Sequence, residues 1–152
     1  MDKLDKSILS KLQENAKISN LELSEKVGLS PSACLRRVNQ LQDSDIINGY
    51  HANLNLEKIG FSVLVLVNIS LYGQSSSMLK EFENAVKKIP QILTCFLVAG
   101  ESDYLLKIAA KDVNDFGRIH TEYLSSLPNV QKMESVFVLR EITNRGLDIM
   151  KI

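Results

Sequence analysis

The sequence predicts an α+β protein with two domains, and two periodicities and one internal repeat lead to that prediction. Up to about Asp43, apolar residues recur every three or four positions, as in short amphipathic helices. Beyond Gly60, short apolar runs alternate with helical patterns. Ile89-Pro90-Gln91-Ile92 and Leu127-Pro128-Asn129-Val130 each join a helix to an apolar strand and repeat one another. We expect a winged-helix-like helix-turn-helix domain followed by a βαββαβ ferredoxin-like (ACT-like) domain.

The first domain, residues 1–52, is predicted to hold three short helices, each marked by a side chain that can cap its first turn. Asp5 is the expected N-cap of the first helix, which should end near Asn15. Ser19 begins the second helix, and Glu22 three residues later completes a capping box. Gly28 supplies the left-handed residue that ends this helix after about two turns.

The start of the third helix has two markers. Ser30 is the expected N-cap, and Pro31 occupies the first helical position, where a missing amide proton costs nothing. The helical pattern continues to about Asp43. From Ile46 to Leu56 the pattern indicates a short strand and linker, and we expect a hinge at residues 53–60.

The second domain, residues 61–142, is predicted to contain four strands and two helices in the order βαββαβ. The expected elements are a strand at 61–72, a helix at 76–89, strands at 92–99 and 104–110, a helix at 113–127 and a strand at 130–142. Residues 143–152 show no clear period and are interpreted as a tail.

One face of the first strand is expected to be covered by a second copy of the chain. Phe61, Val63 and Val65 alternate with Leu64 and Leu66, so that both faces of the strand are apolar. The helices can cover only one face, and an open antiparallel sheet normally shows a polar outer face to water. The pattern therefore predicts a homodimer.

Composition limits the possible functions. Hydrophobic residues make up 45% of the 152 residues without forming an apolar run long enough to cross a membrane, and the charged start lacks the pattern of a signal peptide. A soluble, cytoplasmic protein without a membrane partner is expected. Cys34 and Cys95 fall in different domains with no histidine nearby, which predicts reduced thiols and no metal site.

The outward face of the third helix carries side chains that suit base recognition. Turning Cys34, Val38 and Leu41 inward leaves a polar and cationic face on the opposite side. That side of the helix contains Ser32, Arg36 and Asn39, with Ala33 and Gln40 beside them and Arg37 on the flank. Arginine can bind guanine through two hydrogen bonds, and asparagine or glutamine can do the same with adenine. The pattern predicts a helix that reads double-stranded DNA, with Arg37 and residues 30–32 near phosphate.

The charge balance opposes this interpretation. Lys+Arg and Asp+Glu each number 18, so the net charge is zero, whereas nucleic-acid affinity comes largely from cations that contact phosphate. A DNA reader of this kind must present several copies of its reading helix to bind well. Two alternatives therefore stay open: a three-helix protein-interaction module, and a metabolite-sensing interaction module with little DNA binding of its own.

Enzymatic chemistry is not expected. His120 shares an apolar stripe with Phe116 and Tyr123 and is interpreted as a packed histidine, while His51 has no acidic or cysteine partner at catalytic spacing. The sequence contains no P-loop, GxGxxG, HExxH or GxSxG motif.

The turn Gly100-Glu101-Ser102-Asp103 joins two predicted strands and is a candidate ligand site. Its two carboxylates could bind an ammonium group, and the amides exposed beside the glycine could bind a carboxylate. A zwitterion fits this chemistry, although the same residues are common in ordinary hairpin turns. No cofactor is indicated.

The segments LSEKVGLSPSACLRRV and GESDYLL resemble the Lrp/AsnC (feast/famine, leucine-responsive regulatory protein) family of bacterial and archaeal transcription regulators. The resemblance runs from about Leu4 to Ile142. It implies a sequence-specific, nucleoid-associated DNA-binding regulator whose second domain binds a small effector, usually an amino acid. It also implies a dimer that assembles further, into tetramers or octamers.

The resemblance implies roles for particular residues. The DNA contacts carried over from the family are Ser30, Ser32, Ala33, Arg36, Arg37 and Gln40. In the family the effector pocket lies between dimers. Residues that match its turn motif are Gly100, Asp103 and Tyr104, and the strand positions that line it correspond to Leu97, Val136 and Val138.

Overall fold

The computed structural model describes residues 1–151, which divide into two compact units. The helical unit consists of Met1–Asn53 and of the segment that begins at Thr143. The sheet unit spans Leu54–Ile142. Among the described residues, no helix is long and apolar enough to span a membrane.

Three helices form the helical unit: α1 (Lys3–Glu14), α2 (Asn20–Val27) and α3 (Pro31–Asp43). Asp2 caps α1, so the prediction of Asp5 as its N-cap is wrong. The Asp2 carboxylate accepts a hydrogen bond from the Asp5 amide at 2.9 Å, and the Asp5 carboxylate accepts one from the Asp2 amide at 2.8 Å. The two aspartates thus form a capping box, in which Asp5 is the third helical residue rather than the cap.

Ser19 and Ser30 cap α2 and α3 as predicted, but the capping box predicted at Ser19 is not formed, because the Glu22 carboxylate pairs with Lys26 at 3.0 Å. Ser19 accepts a hydrogen bond from the Glu22 amide, and Ser30 accepts one from the Ala33 amide, with proline at the first helical position of α3. Gly28 ends α2 with φ 71°, a left-handed conformation that any residue with a Cβ adopts only at a cost. The turn between the two helices therefore depends on this glycine.

The core of the helical unit is small, and Ile149 packs against it from far along the chain. Its buried members are Ile8, Leu9, Leu23, Val27, Cys34 and Leu41. A short 3-10 turn, Ile149–Lys151, places the partly buried side chain of Ile149 against this core.

The prediction of a strand within Ile46–Leu56 is wrong. Residues 48–55 form neither helix nor strand, and a 3-10 turn, Glu57–Ile59, follows them. A strand exists only when a neighbour pairs with its backbone. No described segment of this single chain pairs with residues 48–55.

The sheet unit has the predicted βαββαβ order. Its elements are β1 (Val63–Leu71), α4 (Ser76–Val86), β2 (Ile92–Leu97), β3 (Tyr104–Ala110), α5 (Val113–Glu122) and β4 (Val130–Phe137). The four strands pair antiparallel in the order β2-β3-β1-β4. Both helices end before the predicted residues, since α4 continues into i→i+3 turns up to Ile89 and α5 is followed by a 3-10 turn, Leu124–Ser126. β4 ends at Phe137 rather than Ile142.

The two faces of the sheet differ in burial. On the face toward α4 and α5, side chains such as Val65, Val67 and Ile108 are completely buried. The opposite face is called the open face here. The strand register places on it Leu64, Leu66, Asn68, Ser70, Phe96, Leu105, Lys107, Lys132, Glu134 and Val136. Part of the open face is therefore apolar, although this chain alone does not cover it.

Candidate functional site

The outward face of α3 contains most of the side chains predicted to read DNA. Cys34 and Leu41 are buried beneath the helix, which turns the opposite side toward solvent. The exposed residues on that side are Ser32, Arg36, Asn39 and Gln40, whereas Ala33 is half-buried. Arg36 makes no hydrogen bond or ion pair with the residues that the structure describes. Its guanidinium is therefore available to a partner outside the chain.

Side-chain hydrogen bonds hold the start of α3 in place. The Asn20 amide nitrogen donates to the Pro31 carbonyl at 2.9 Å, which joins α2 to the first turn of α3. The Ser30 and Ser32 hydroxyls lie 3.3 Å apart, and Ser30 also caps the helix. Both hydroxyls are exposed, so the helix start can approach a phosphate or a base edge closely.

Arg37 has a different environment from Arg36. Its guanidinium donates to Asp5 at 2.7 Å and to Asp2 at 2.8 Å, and only 24% of the side chain is exposed. The Asp5 amide and the Arg37 guanidinium hold the pKa of the Asp2 carboxyl below its usual range. The hydrogen bonds from its guanidinium to the carboxylates of Asp5 and Asp2 raise the pKa of Arg37. Arg37 thus joins α3 to the start of α1.

The carboxylate of Asp103, a predicted ligand-binding residue, accepts hydrogen bonds from other parts of the chain. One oxygen accepts a hydrogen bond from the Leu71 amide at 2.7 Å, and the other accepts one from the Gln74 side chain at 2.6 Å. The Asp103 amide donates to the Ile69 carbonyl at 2.8 Å. These bonds fasten the 100–103 hairpin to the end of β1, where the register with β4 shifts between Ser70 and Leu71.

Tyr104 and Leu97 do not lie on the open face. Tyr104 is 1% exposed, its ring packs 4.5 Å from Phe82, and its hydroxyl donates to Glu83 at 2.9 Å. Burial and the Glu83 carboxylate raise the pKa of Tyr104 well above its usual range. Leu97 pairs with Tyr104 across the sheet and is exposed at the end of β2.

A polar groove lies where the 100–103 hairpin meets the open face. Its volume is about 180 Å³, and it is lined by Asn68, Ser70, Glu101, Ser102, Lys132 and Glu134. The lining carries one ammonium group and two carboxylates, and Lys132 lies 3.8 Å from Glu134. Such a set can bind a zwitterion, because the cation attracts a carboxylate and the acids attract an ammonium group.

Of the predicted effector residues, only Glu101 and Ser102 line this groove. Gly100 and Asp103 form the rest of the turn, and Val136 continues the open face beside Leu66. Val138 lies just beyond β4, and its amide donates to the Leu64 carbonyl at 2.9 Å.

Four groove residues were missed by sequence reasoning: Asn68, Ser70, Lys132 and Glu134. The signal that could have found them is the polar end of β1, where Asn68 and Ser70 interrupt an apolar strand. Their cross-strand partners are Glu134 and Lys132, and only the register reveals those pairs.

Neither cysteine has the environment of a reactive thiol. Burial raises the pKa of Cys34, and burial together with the Glu83 carboxylate raises that of Cys95. His120 packs edge-on to Phe116 with the ring centres 6.3 Å apart. Within residues 1–151, no group of three or more His, Cys, Asp or Glu side chains could hold a metal ion.

A capped helix-turn-helix joined to a βαββαβ unit with a polar groove defines a DNA-binding regulator with a ligand-binding domain. Family models match both parts. Residues 1–48 match a winged helix-turn-helix DNA-binding domain, and residues 64–147 match the Lrp/AsnC ligand-binding domain. The chain belongs to the Lrp/AsnC family of transcription regulators, and the family resemblance noted in the sequence is confirmed.

Characterised relatives cover almost the whole chain. It is 38% identical over 151 residues to the leucine-responsive regulatory proteins of Klebsiella pneumoniae and Escherichia coli K12. The match includes 99% of this chain and 92% of each relative. The two units therefore occur together in proteins of known regulatory function.

Solved structures share the fold. A transcriptional regulator from Neisseria meningitidis, crystallised as a complex with L-methionine, is 40% identical with a TM-score of 0.90, and the match covers 95% of this chain and 94% of that one. An AsnC-family regulator from Agrobacterium tumefaciens is 28% identical with a TM-score of 0.91, covering 97% and 95%. These similarities confirm the fold class that the sequence predicts.

The Arg37 cluster predicts an acid-sensitive helical unit. Because the pKa of Asp2 is lowered in the folded state, its contribution to stability is present above the usual value of 3.8 and is lost as the pH falls below it. Arg37→Gln should make that loss shallower without abolishing it, since the Asp5 amide still binds Asp2. Thermal unfolding between pH 3 and 6, followed by circular dichroism, measures the difference. Equal pH profiles for both proteins would contradict this role of Arg37.

Proposed function

We propose that α3 reads double-stranded DNA in the major groove, with Arg36 as the principal base-contacting residue. The observation that carries this proposal is the exposed, unpaired Arg36 guanidinium at the centre of a face of short polar side chains. Arginine at such a position can donate two hydrogen bonds to guanine. Ser32, Ala33, Asn39 and Gln40 surround it and allow close approach to the base edges.

Phosphate contacts follow from the start of the helix. Ser30 and Ser32 stand at the N-terminal end of α3, where the free amides and the helix dipole favour an anion. Arg37 lies on the flank and is already paired with Asp2 and Asp5. We assign it mainly to positioning α3, with phosphate as an additional partner for its remaining donors.

Substitution of Arg36 tests the DNA contact. Arg36→Ala should weaken specific binding by about 1–3 kcal/mol and relax the preference at one base position. Arg36→Lys is the matched control, because it keeps the charge and loses the two-pronged geometry. We expect it to retain non-specific affinity and to lose discrimination. Gel shifts with the DNA upstream of the chain's own gene, at low and physiological salt, measure both effects. Unchanged selectivity in both variants would remove Arg36 from the interface.

Zero net charge favours a second candidate function, a metabolite-sensing interaction module with little DNA binding. The gel shifts separate the two candidates, since this alternative requires no salt-dependent binding by the unsubstituted chain. We favour the DNA reader because an assembly of several chains multiplies a modest affinity per helix. Action by binding alone, without catalysis, and a location on the bacterial or archaeal nucleoid belong to the same proposal.

A homodimer accounts for two exposed apolar features. The open face includes Leu66 and the 54%-exposed Phe96, which an isolated antiparallel sheet would not normally show to water. Residues 48–55 are without a strand partner and carry the exposed side chains of Tyr50 and Leu54. A second copy of the chain could cover the face and pair with this segment. Assembly of such dimers into tetramers or octamers would then display several reading helices.

A charge placed on the open face tests the dimer. Leu66→Glu should shift the protein toward monomer, because the second copy would have to bury an unpaired carboxylate. Val113→Glu is the matched control, since Val113 is 61% exposed at the start of α5, away from the open face. Sedimentation velocity over a concentration series measures the assembly, with circular dichroism to confirm folding. An unsubstituted chain that stays monomeric at every concentration would rule out the dimer.

The polar groove is our proposed effector site, and an amino acid is the proposed effector. The Neisseria meningitidis relative with L-methionine bound supports this class of ligand. Lys132 would bind the carboxylate, while Glu101 and Glu134 would bind the ammonium group. Gly100 and Ser102 shape the turn, and Asp103 and Tyr104 act as positioning residues. The apolar side chains nearest to this region are Leu97, Val136 and Val138.

Loss of the Lys132 charge tests the groove. Lys132→Gln should weaken binding of L-methionine by about tenfold or more, because a charged hydrogen bond is lost. Lys80→Gln, an exposed cation on α4, is the control and should bind normally. Isothermal titration calorimetry provides both affinities. Equal affinities for the two variants would place the effector elsewhere, and no heat from L-methionine or other amino acids would remove the effector.

A further inference from the structure

A second groove in the sheet unit lies at the other end of the sheet from the 100–103 hairpin. It is found where β2 begins and β3 ends, and its volume is about 390 Å³. Its walls are mostly apolar and include Leu56, Ile59, Phe61 and Leu93. None of the residues assigned above to DNA or to the effector lines it.

Gln91, one of the residues that line this groove, has a side-chain hydrogen-bond acceptor without a partner in the described part of the chain. Its side-chain oxygen Oε1 is buried and has no hydrogen-bond partner among residues 1–151. The Gln91 backbone is held by the sheet, because its carbonyl accepts a hydrogen bond from the Ala109 amide at 3.1 Å. A buried acceptor of this kind is unfavourable unless a donor reaches it, and it is uncommon in folded proteins.

Lys111 gives the groove an exposed cation. The neighbouring charges are satisfied, since Arg118 donates to Asp115 at 2.8 Å and to Glu122 at 2.7 Å. Asp115 also accepts a hydrogen bond from the Lys111 backbone amide at 3.0 Å. The Lys111 ammonium itself makes no hydrogen bond or ion pair with the described part of the chain.

We propose that this groove binds a small monocarboxylate with a compact apolar body and a hydrogen-bond donor on the carbon next to the carboxylate. The apolar body packs against Leu56, Ile59 and Leu93. The donor binds Gln91 Oε1, and the carboxylate pairs with Lys111. α-Hydroxy acids and α-amino acids share this chemistry. The site is separate from the polar groove and does not depend on DNA binding.

Binding in the groove affects the segment that leads into β1. Leu56, Ile59 and Phe61 precede this strand, and the Phe61 amide donates to the Leu56 carbonyl at 2.8 Å, which closes the segment on itself. A ligand that contacts these side chains stabilises the closed form, because it binds that form in preference to an opened one. The ligand therefore orders the beginning of the sheet unit.

Methyl NMR of the full chain tests the proposal. The protein carries labelled Ile and Leu methyl groups and the Lys132→Gln substitution, which weakens the proposed effector site. It is titrated with L-leucine, 2-hydroxy-4-methylpentanoate and 4-methylpentanoate. We expect shifts of the Leu56, Ile59 and Leu93 methyls with a ligand that has a donor. 4-Methylpentanoate, which has none, should bind about tenfold more weakly.

Three further substitutions separate the contacts. Gln91→Leu should lower the affinity for the two donor-bearing ligands to that of 4-methylpentanoate. The free variant should be at least as stable as the unsubstituted protein, because a buried unpaired acceptor is removed. Lys111→Gln should weaken all three ligands. Lys58→Gln is the matched control, since Lys58 is an exposed cation on the same segment but does not line the groove.

The outcomes are distinguishable. Binding of L-leucine or of 2-hydroxy-4-methylpentanoate, with the expected effects of the substitutions, supports the site. The ligand that binds shows whether the site accepts an ammonium or a hydroxyl donor. The proposal would be overturned if the methyls of Leu56, Ile59 and Leu93 did not shift at up to about 10 mM of each ligand, a concentration beyond the range of weak specific binding. Equal binding of all three ligands, or a donor preference that survives in Gln91→Leu, would also overturn it. These results are independent of DNA affinity.

Discussion

The contact of Arg37 with Asp2 and Asp5 connects α1 to α3, the helix that we propose reads DNA. Asp2 and Asp5 cap one another, and the guanidinium of Arg37 binds the same pair of carboxylates. The position of α3 therefore depends on charges at the start of α1 as well as on the small core beneath it. Arg36, one residue away, is exposed and makes no such contact among the described residues.

Local signals in the sequence predict the helical unit well. Ser19, Gly28 and Ser30 each act within a few residues of their own position, so the pattern alone locates the turns and the outward side of α3. The prediction of Asp5 as the N-cap is wrong because Asp2 and Asp5 lie at a spacing at which either could cap the helix. The local pattern of Ile46–Leu56 cannot show whether this segment forms a strand. A strand needs a neighbour to pair with, and the described part of this single chain does not provide one.

The proposed effector site was less predictable, because it depends on which strands are neighbours. The turn at residues 100–103 is visible in the sequence, but the partners of the Asp103 carboxylate are 32 and 29 residues away along the chain. Tyr104 follows the turn directly, yet the alternation of the strand directs its ring to the helices. Lys132 and Glu134 reach the groove only through the register of β4 on β1.

The position of Ile149 has a consequence for synthesis of the protein. The helical unit is discontinuous in the chain, since the whole sheet unit lies between Asn53 and Thr143. Its first three helices leave the ribosome early, but the side chain of Ile149 reaches their core only after the sheet unit has been made. The helical unit of a newly made chain thus gains this part of its core only when the sheet unit is already able to fold.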